Sequence, residues 1–115
     1  MSSSTRAVAE AFSAHRSAEA YPALADDVRW DLVGQDTLVG RQSVVDACEG
    51  TPAALAGGTA TVERCVVAGN GDVVAVDTVT RCADADGSAG RVSSCDVHEF
   101  TGGRLTTIRS YTVEV

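Results

Sequence analysis

The hydrophobic pattern of this chain changes period once, near Thr59, and that change limits the folds open to it. Before Thr59 the apolar residues recur at helical spacing: Val8, Ala11, Phe12 and His15 fall at i, i+3, i+4 and i+7. After Thr59 they alternate, and turn residues break the alternation into four strands. The strands span Thr59–Ala68, Val73–Cys82, Arg91–Phe100 and Arg104–Val115. The breaks are Gly69–Asp72 with its Asn-Gly pair, the polar stretch Ala83–Gly90, and Thr101-Gly102-Gly103. Helices first and a long antiparallel meander later predict an α+β fold, with the helices packed in the concave face of a curved antiparallel sheet.

The N-terminal half resolves further. Ser4 or Thr5 is positioned to cap a helix over Arg6 to about Arg16. A second helix is expected over Ala18–Ala25, with Pro22 in its first turns and Tyr21 and Leu24 inward. A third is expected over Arg41–Glu49, with Val44, Val45 and Cys48 inward and Gly50 as its stop. Between them, Val28–Val33 alternates as a short strand, and Gly34 and Gly40 bracket a loop that can bend back over it. Val8, Phe12, Leu24, Trp30 and Val44 are the expected inward residues.

At 115 residues the chain is long enough for one core, and a single domain over 1–115 is expected. Only 4% of residues are aromatic against 44% hydrophobic, so Val, Ala and Leu must fill most of that core. A formal charge of −7 argues against a nucleic-acid partner, which would require a basic face. No apolar run approaches the roughly 20 residues of a membrane span. MSSSTRAVAEAF carries no long apolar core ahead of a cleavage site, so no secretory signal and a cytoplasmic location are expected. Cys48, Cys65, Cys82 and Cys95 are widely spaced with no CxxC pair. That spacing predicts free thiols, three of them as small core residues on strands, and no zinc site.

The candidate chemistry lies in acids set among apolar residues. Asp31 ends an apolar strand beside Trp30; it is either a solvated strand-end carboxylate or, where the site is desolvated, a usable base near neutral pH. Asp96, His98 and Phe100 share one strand face by period two. Asp77 is a charge inside the strand Val73–Cys82, on the wet face or paired in a pocket. The glycines of the strand turns do not sit between a strand and a helix start, so they form no phosphate cradle.

Two stretches resemble a known family. ADDVRWDLVGQDTLVGRQSVVDA is similar to a segment of bacterial ketosteroid isomerases and related polyketide-cyclase-like proteins of the nuclear transport factor 2 superfamily. In those isomerases a general-base Asp lies nine residues before a glycine, as Asp31 lies nine before Gly40. DVHEFTGGRLTTIRSY resembles their late hairpin, with Asp96 four positions before Phe100 and Arg109 in the next strand. The resemblance implies a cone-shaped fold and a cofactor-free, metal-free acid–base enzyme acting on a small apolar substrate. Asp31 would be the base and Asp96 a protonated acid or oxyanion donor, as in the pairing of a charged and a neutral carboxyl. His98 and Asp77 would tune the pair, and Phe12, His15, Tyr21, Trp30 and Phe100 would hold the substrate. It also implies a homodimer. The isomerases take a Tyr from the first helix; here Val8 stands at that place, which turns the reading toward ring closure and epoxide opening. The alternative is a non-catalytic module in which the same cone holds a ligand or a protein partner.

Overall fold

The computed structural model of the chain describes residues 4–14, 16–54, 59–83 and 89–115. The first helix, α1, spans Thr5–Ser13, with the Ser4 hydroxyl accepting from the Ala7 amide at 3.1 Å. It ends three residues earlier than its periodicity predicts, and His15 lies outside the described residues. The expected second helix does not form. Two single 3-10 turns, Ser17–Glu19 and Tyr21–Ala23, take its place, with Pro22 at the start of the second. Proline lacks the N–H that would extend the first turn into a continuous ladder.

Strand β1 then runs over Leu24–Leu32, so Asp26 and Asp27 begin a strand instead of closing a helix. The expected loop over β1 contains a further strand, β2, Asp36–Val39, antiparallel to β1. Helix α2 spans Arg41–Ala54 and continues through Gly50, the predicted stop. Glycine costs a helix about 1 kcal/mol relative to Ala without forbidding it. The four later strands are β3, Thr59–Asn70; β4, Val73–Ala83; β5, Ala89–Thr101; and β6, Arg104–Glu114. The β3–β4 turn is Gly71-Asp72, and the β5–β6 turn is Gly102-Gly103 with φ of 59° and 81°. Positive φ at both central residues is the type I′ geometry that matches strand twist. Gly69 is needed for its φ of 88° and for space: a Cβ there would sit 2.7 Å from the Val73 carbonyl oxygen.

The six strands form one curved, open sheet in the order β2-β1-β6-β5-β4-β3. The α+β class with N-terminal helices holds, but the sheet is not antiparallel throughout. β1 pairs with β6 in parallel, Trp30 opposite Ile108 and Asp31 opposite Arg109. Sequential strands joined by tight hairpins must be antiparallel. β1 and β6 are joined by no hairpin, so nothing imposes that direction on them.

Helix α1 packs on β3, β4 and β5, and α2 on β1 and β2. Val8, Phe12, Leu24 and Val44 are buried as expected, and Trp30 is partly buried against the same core. The inner face of the sheet changes character along the strands. At one end Val74, Val76, Phe100, Leu105 and Ile108 close the core. Further along the same faces the residues become Thr78, Thr80, Ser94, Ser110 and Thr112, and the packing opens into a cavity. All four cysteines are free thiols, but none of the three strand cysteines belongs to the core: Cys65 is exposed, and Cys82 and Cys95 are half-buried.

Candidate active site

The cavity holds about 470 Å³ and lies between α1, the 3-10 turns and the inner face of the sheet. That volume is within the range of small-molecule sites. Phe12 and Trp30 form part of its wall, their rings edge to face with centroids 5.0 Å apart. The Trp30 indole N–H donates to the Ser110 hydroxyl at 2.8 Å, which fixes the ring's plane against β6.

Asp96 is the one acidic side chain lining this cavity among the described residues. The residue is 8% exposed. Oδ2 lies 2.6 Å from the Ser13 hydroxyl, and Oδ1 accepts from the Ser94 hydroxyl at 3.3 Å. Ser94 in turn lies 3.2 Å from the Thr112 hydroxyl. His98 is fully buried. Its Nε2 is 3.2 Å from the Ser13 hydroxyl and its Nδ1 is 3.0 Å from the Val74 carbonyl oxygen. Phe12 stands edge-on to the imidazole at 5.9 Å. Burial holds the His98 pKa below its ordinary value, against the opposing pull of the Val74 carbonyl and the Asp96 charge.

Two expected acids lie elsewhere. Trp30 and Leu32 line the cavity, so the two-residue period of β1 turns Asp31 to the opposite face. There it lies 3.9 Å from Arg109 and accepts from the Thr37 hydroxyl at 3.4 Å. Asp77 alternates with buried Val76 and Thr78 and is likewise turned outward, 3.1 Å from Arg64. The expectation that Asp31 and Asp96 face one cavity is corrected by this alternation, and so is a cavity role for Asp77. Phe100 is buried in the core and does not line the cavity. Tyr21 is set back from it, beside Cys48, whose thiol pKa burial pushes up. Among the described residues no cluster of His, Cys, Asp or Glu converges as a metal-ligand set.

The profile of the SnoaL-like domain matches residues 5–108. The chain belongs to the SnoaL-like domain family. A nuclear transport factor 2-like protein of unknown function from Cytophaga hutchinsonii is 26% identical, with a TM-score of 0.79 over 93% of this chain and 94% of the other. A candidate polyketide cyclase from Xanthomonas campestris superposes with a TM-score of 0.72 at 20% identity, covering 91% and 84% of the two chains. An epoxide hydrolase from M. tuberculosis superposes with a TM-score of 0.67 at 20% identity, covering 94% and 81%. At these identities the last two show a shared fold. No curated protein matches the chain.

This SnoaL-like domain keeps residues in its site that sequence reasoning passed over. Ser13 follows Ala9 by one helical turn, and Ala9 is fully buried, so Ser13 continues the inward stripe of α1. The hydroxyls of Thr78 and Thr80 continue the period of Val74 and Val76 along β4. Both signals were present as spacing. Neither residue type attracts notice as chemistry, because Ser and Thr are common on ordinary surfaces.

Proposed function

We propose that this SnoaL-like domain is a cofactor-independent acid–base enzyme acting on a small, largely apolar substrate, by isomerisation or ring closure including epoxide opening. The observation that carries the reading is the position of Asp96. It is a nearly buried carboxyl, lining a mainly apolar cavity, held by hydroxyls and close to an imidazole, with no arginine lining the same space among the described residues. Such a group can exchange a proton with a bound molecule or donate a hydrogen bond to developing negative charge. Phe12 and Trp30 would press on the apolar body of the substrate, and the hydroxyls of Thr78, Thr80, Ser94 and Thr112 would take its oxygens. The relatives whose fold it shares include an epoxide hydrolase and a candidate cyclase, which supports the reaction class. Asp31 is not retained as the base, because it turns away from this cavity.

The outer sheet face supports the expected homodimer. Val66, Asp77, Cys95 and Tyr111 are adjacent in register across four strands, and Arg109 stacks over Tyr111 at 5.7 Å. Such mixed apolar and polar rows suit a two-fold contact. A monomer mass by light scattering at tens of micromolar would remove the dimer from the proposal.

The test of function is a panel of small alicyclic epoxides and β,γ-unsaturated ketones, with wild type and Asp96→Asn assayed side by side. Turnover of one member, lost in the variant by about 10²–10⁴-fold, is the expected result. An amide still donates a hydrogen bond but delivers no proton. The loss is therefore expected on whichever member of the panel is turned over, and the member that is turned over tells epoxide opening from isomerisation. Binding of panel members unchanged, with no turnover in either form, would give the site to the non-catalytic reading.

A further inference from the structure

The network around Asp96 leaves few choices for its protons. The Val74 carbonyl only accepts, so His98 Nδ1, 3.0 Å away, carries a hydrogen. One hydroxyl hydrogen on Ser13 must then serve two neighbours, Asp96 Oδ2 at 2.6 Å and His98 Nε2 at 3.2 Å. If it points to Asp96, Nε2 needs its own hydrogen to donate to Ser13, and the pair is carboxylate and imidazolium. If it points to Nε2, Oδ2 needs a hydrogen to donate to Ser13, and the pair is carboxylic acid and neutral imidazole. The two forms hold the same number of protons. They differ by the shift of two hydrogens along two hydrogen bonds. With one proton fewer, a lone pair faces a lone pair at one contact. With one more, two hydrogens compete with the hydroxyl's own.

We propose that Asp96, Ser13 and His98 act as a proton relay, in which Asp96 meets the substrate, Ser13 is the bridge and His98 is the temporary store. This rests on the reading of Asp96 as the proton-exchanging group. In the form with a carboxylic acid and a neutral imidazole, Asp96 Oδ2 carries the proton that can move to Ser13. Asp96 Oδ1 is turned to Ser94 at the hydroxyl-lined end, while Oδ2 is turned to Ser13. A substrate C–H proton arriving at Oδ1 lets the Oδ2 proton pass to Ser13 and the Ser13 proton pass to Nε2. The C–H electron pair stays on the substrate as an enolate, and the site gains one proton, held as imidazolium beside a neutral acid. Running the shift backward returns a proton to a different atom of the substrate. One carboxyl thus serves as base and then as acid, and no second carboxyl is required in the cavity.

Groups facing His98 are few. Ser13 and Phe12 reach it from α1, the Val74 carbonyl from β4, and Ile108 is its register partner on β6. Asp96 is the one charged group acting on it among the described residues. The coupling between the two is therefore measurable without a substrate. Imidazole nitrogen shifts of 15N-histidine-labelled, unliganded protein would be followed against pH in wild type, Asp96→Asn, Ser13→Ala and the double variant. Neutral His98 is expected as the Nδ1–H tautomer. Asp96→Asn is expected to lower the His98 midpoint by about 1 unit or more, the strength at which two titrations become shared. In the Ser13→Ala background the same substitution should shift it by less than half as much, and Ser13→Thr should restore the full shift. Equal shifts in both backgrounds would mean charge acting through space, and would overturn the relay. So would an Nε2–H tautomer at neutral pH. Where Ser13→Ala fails to fold, Ser13→Cys, whose thiol is a weak bridge, takes its place with the same expectation. Turnover lost in Asp96→Asn with equal shifts would overturn the relay and leave the proposed function standing. Coupled shifts with no turnover on any panel member would do the reverse.

Discussion

Asp77 and Asp96 lie on neighbouring strands, one step apart in register, and finish on opposite faces of the same sheet. Asp77 is turned outward, its side chain 41% exposed, and meets the Arg64 guanidinium. Asp96 is turned inward and meets Ser13, Ser94 and, through Ser13, His98. The outer face repeats its solution elsewhere: Glu63 meets Arg91, and Asp31 meets Arg109. On that face the partner of each carboxylate is an arginine, which can neither take nor deliver a proton. Hydroxyls and an imidazole leave the proton free to move. The difference shows that a strand acid becomes a candidate for chemistry through the partners its face supplies, more than through being an acid in an apolar run.

The sharpest way to break this contrast is to remove the two charges separately. Asp96→Asn is expected to cost about 10²–10⁴-fold in turnover on a substrate from the panel. Asp77→Asn is expected to leave turnover within about 2-fold, since an exposed ion pair contributes at most about 1 kcal/mol and lies outside the cavity. Steady-state kinetics on both variants decides it. Equal losses would mean that the two faces are not functionally distinct.

Phe12 tests how firmly the inner face is held. Its ring packs edge-on against both Trp30 and His98 and covers the core end of the cavity. Phe12→Ala should destabilise the fold by about 3–5 kcal/mol, toward the lower end because the ring already borders open space. Denaturant unfolding would measure it. A cost under about 1 kcal/mol would show that the inner wall does not depend on this ring.

Much of this contrast was legible in the sequence, and the missing part has a physical cause. The change of period at Thr59 located the four-strand meander, and the Gly-marked turns located its hairpins. Asp96 and His98 were placed together because a strand's side chains alternate whatever it pairs with. The same rule holds for Asp31, but strand alternation fixes which residues share a face and not which face is inward. Trp30 and Leu32 took the inner side, and Asp31 followed of necessity. The parallel β1–β6 seam joins distant segments, which no local pattern records. The Ala18–Ala25 helix failed for a local reason, the position of Pro22, and Ser13 was missed because a lone hydroxyl carries no signal until its neighbours are known.

His98 gives a smaller effect that separates the faces by pH. Burial holds its folded-state pKa below the unfolded value, so the unfolded chain binds more protons as pH falls through that window. Its contribution to stability is present above about pH 6.5, the ordinary histidine value, and is lost as pH falls toward the folded value. The melting temperature should therefore drop between pH 7.5 and pH 5.5. The slope of that drop should flatten in His98→Asn, even where that variant melts lower at every pH. An unchanged slope would mean that the buried imidazole is not what proton uptake acts on.

The smallest expected effect belongs to Asp31, and it bears most directly on the choice between the faces. Family resemblance assigns the base to this residue, whereas the fold turns it to the outer side of β1, within reach of Arg109 and Thr37. Its side chain is 28% exposed and its cation is 3.9 Å away, a long contact for an ion pair. Replacing it with Asn keeps the shape and the hydrogen bond from Thr37 and removes only the charge. Such a loosely paired surface charge contributes about 0–1 kcal/mol to stability, less in high salt. Asp31→Asn is therefore expected to melt within about 4–8 °C of wild type. Turnover should stay within about 2-fold, against the 10²–10⁴-fold expected of a lost general base. Kinetics at low and high salt check both parts, because a remote charge effect fades with ionic strength and the loss of a base does not. A large, salt-independent loss of turnover would mean that β1 presents Asp31 to the substrate during the reaction. The relay through Ser13 would then share the cavity with a second acid, and the division of labour between the two faces of the sheet would fail.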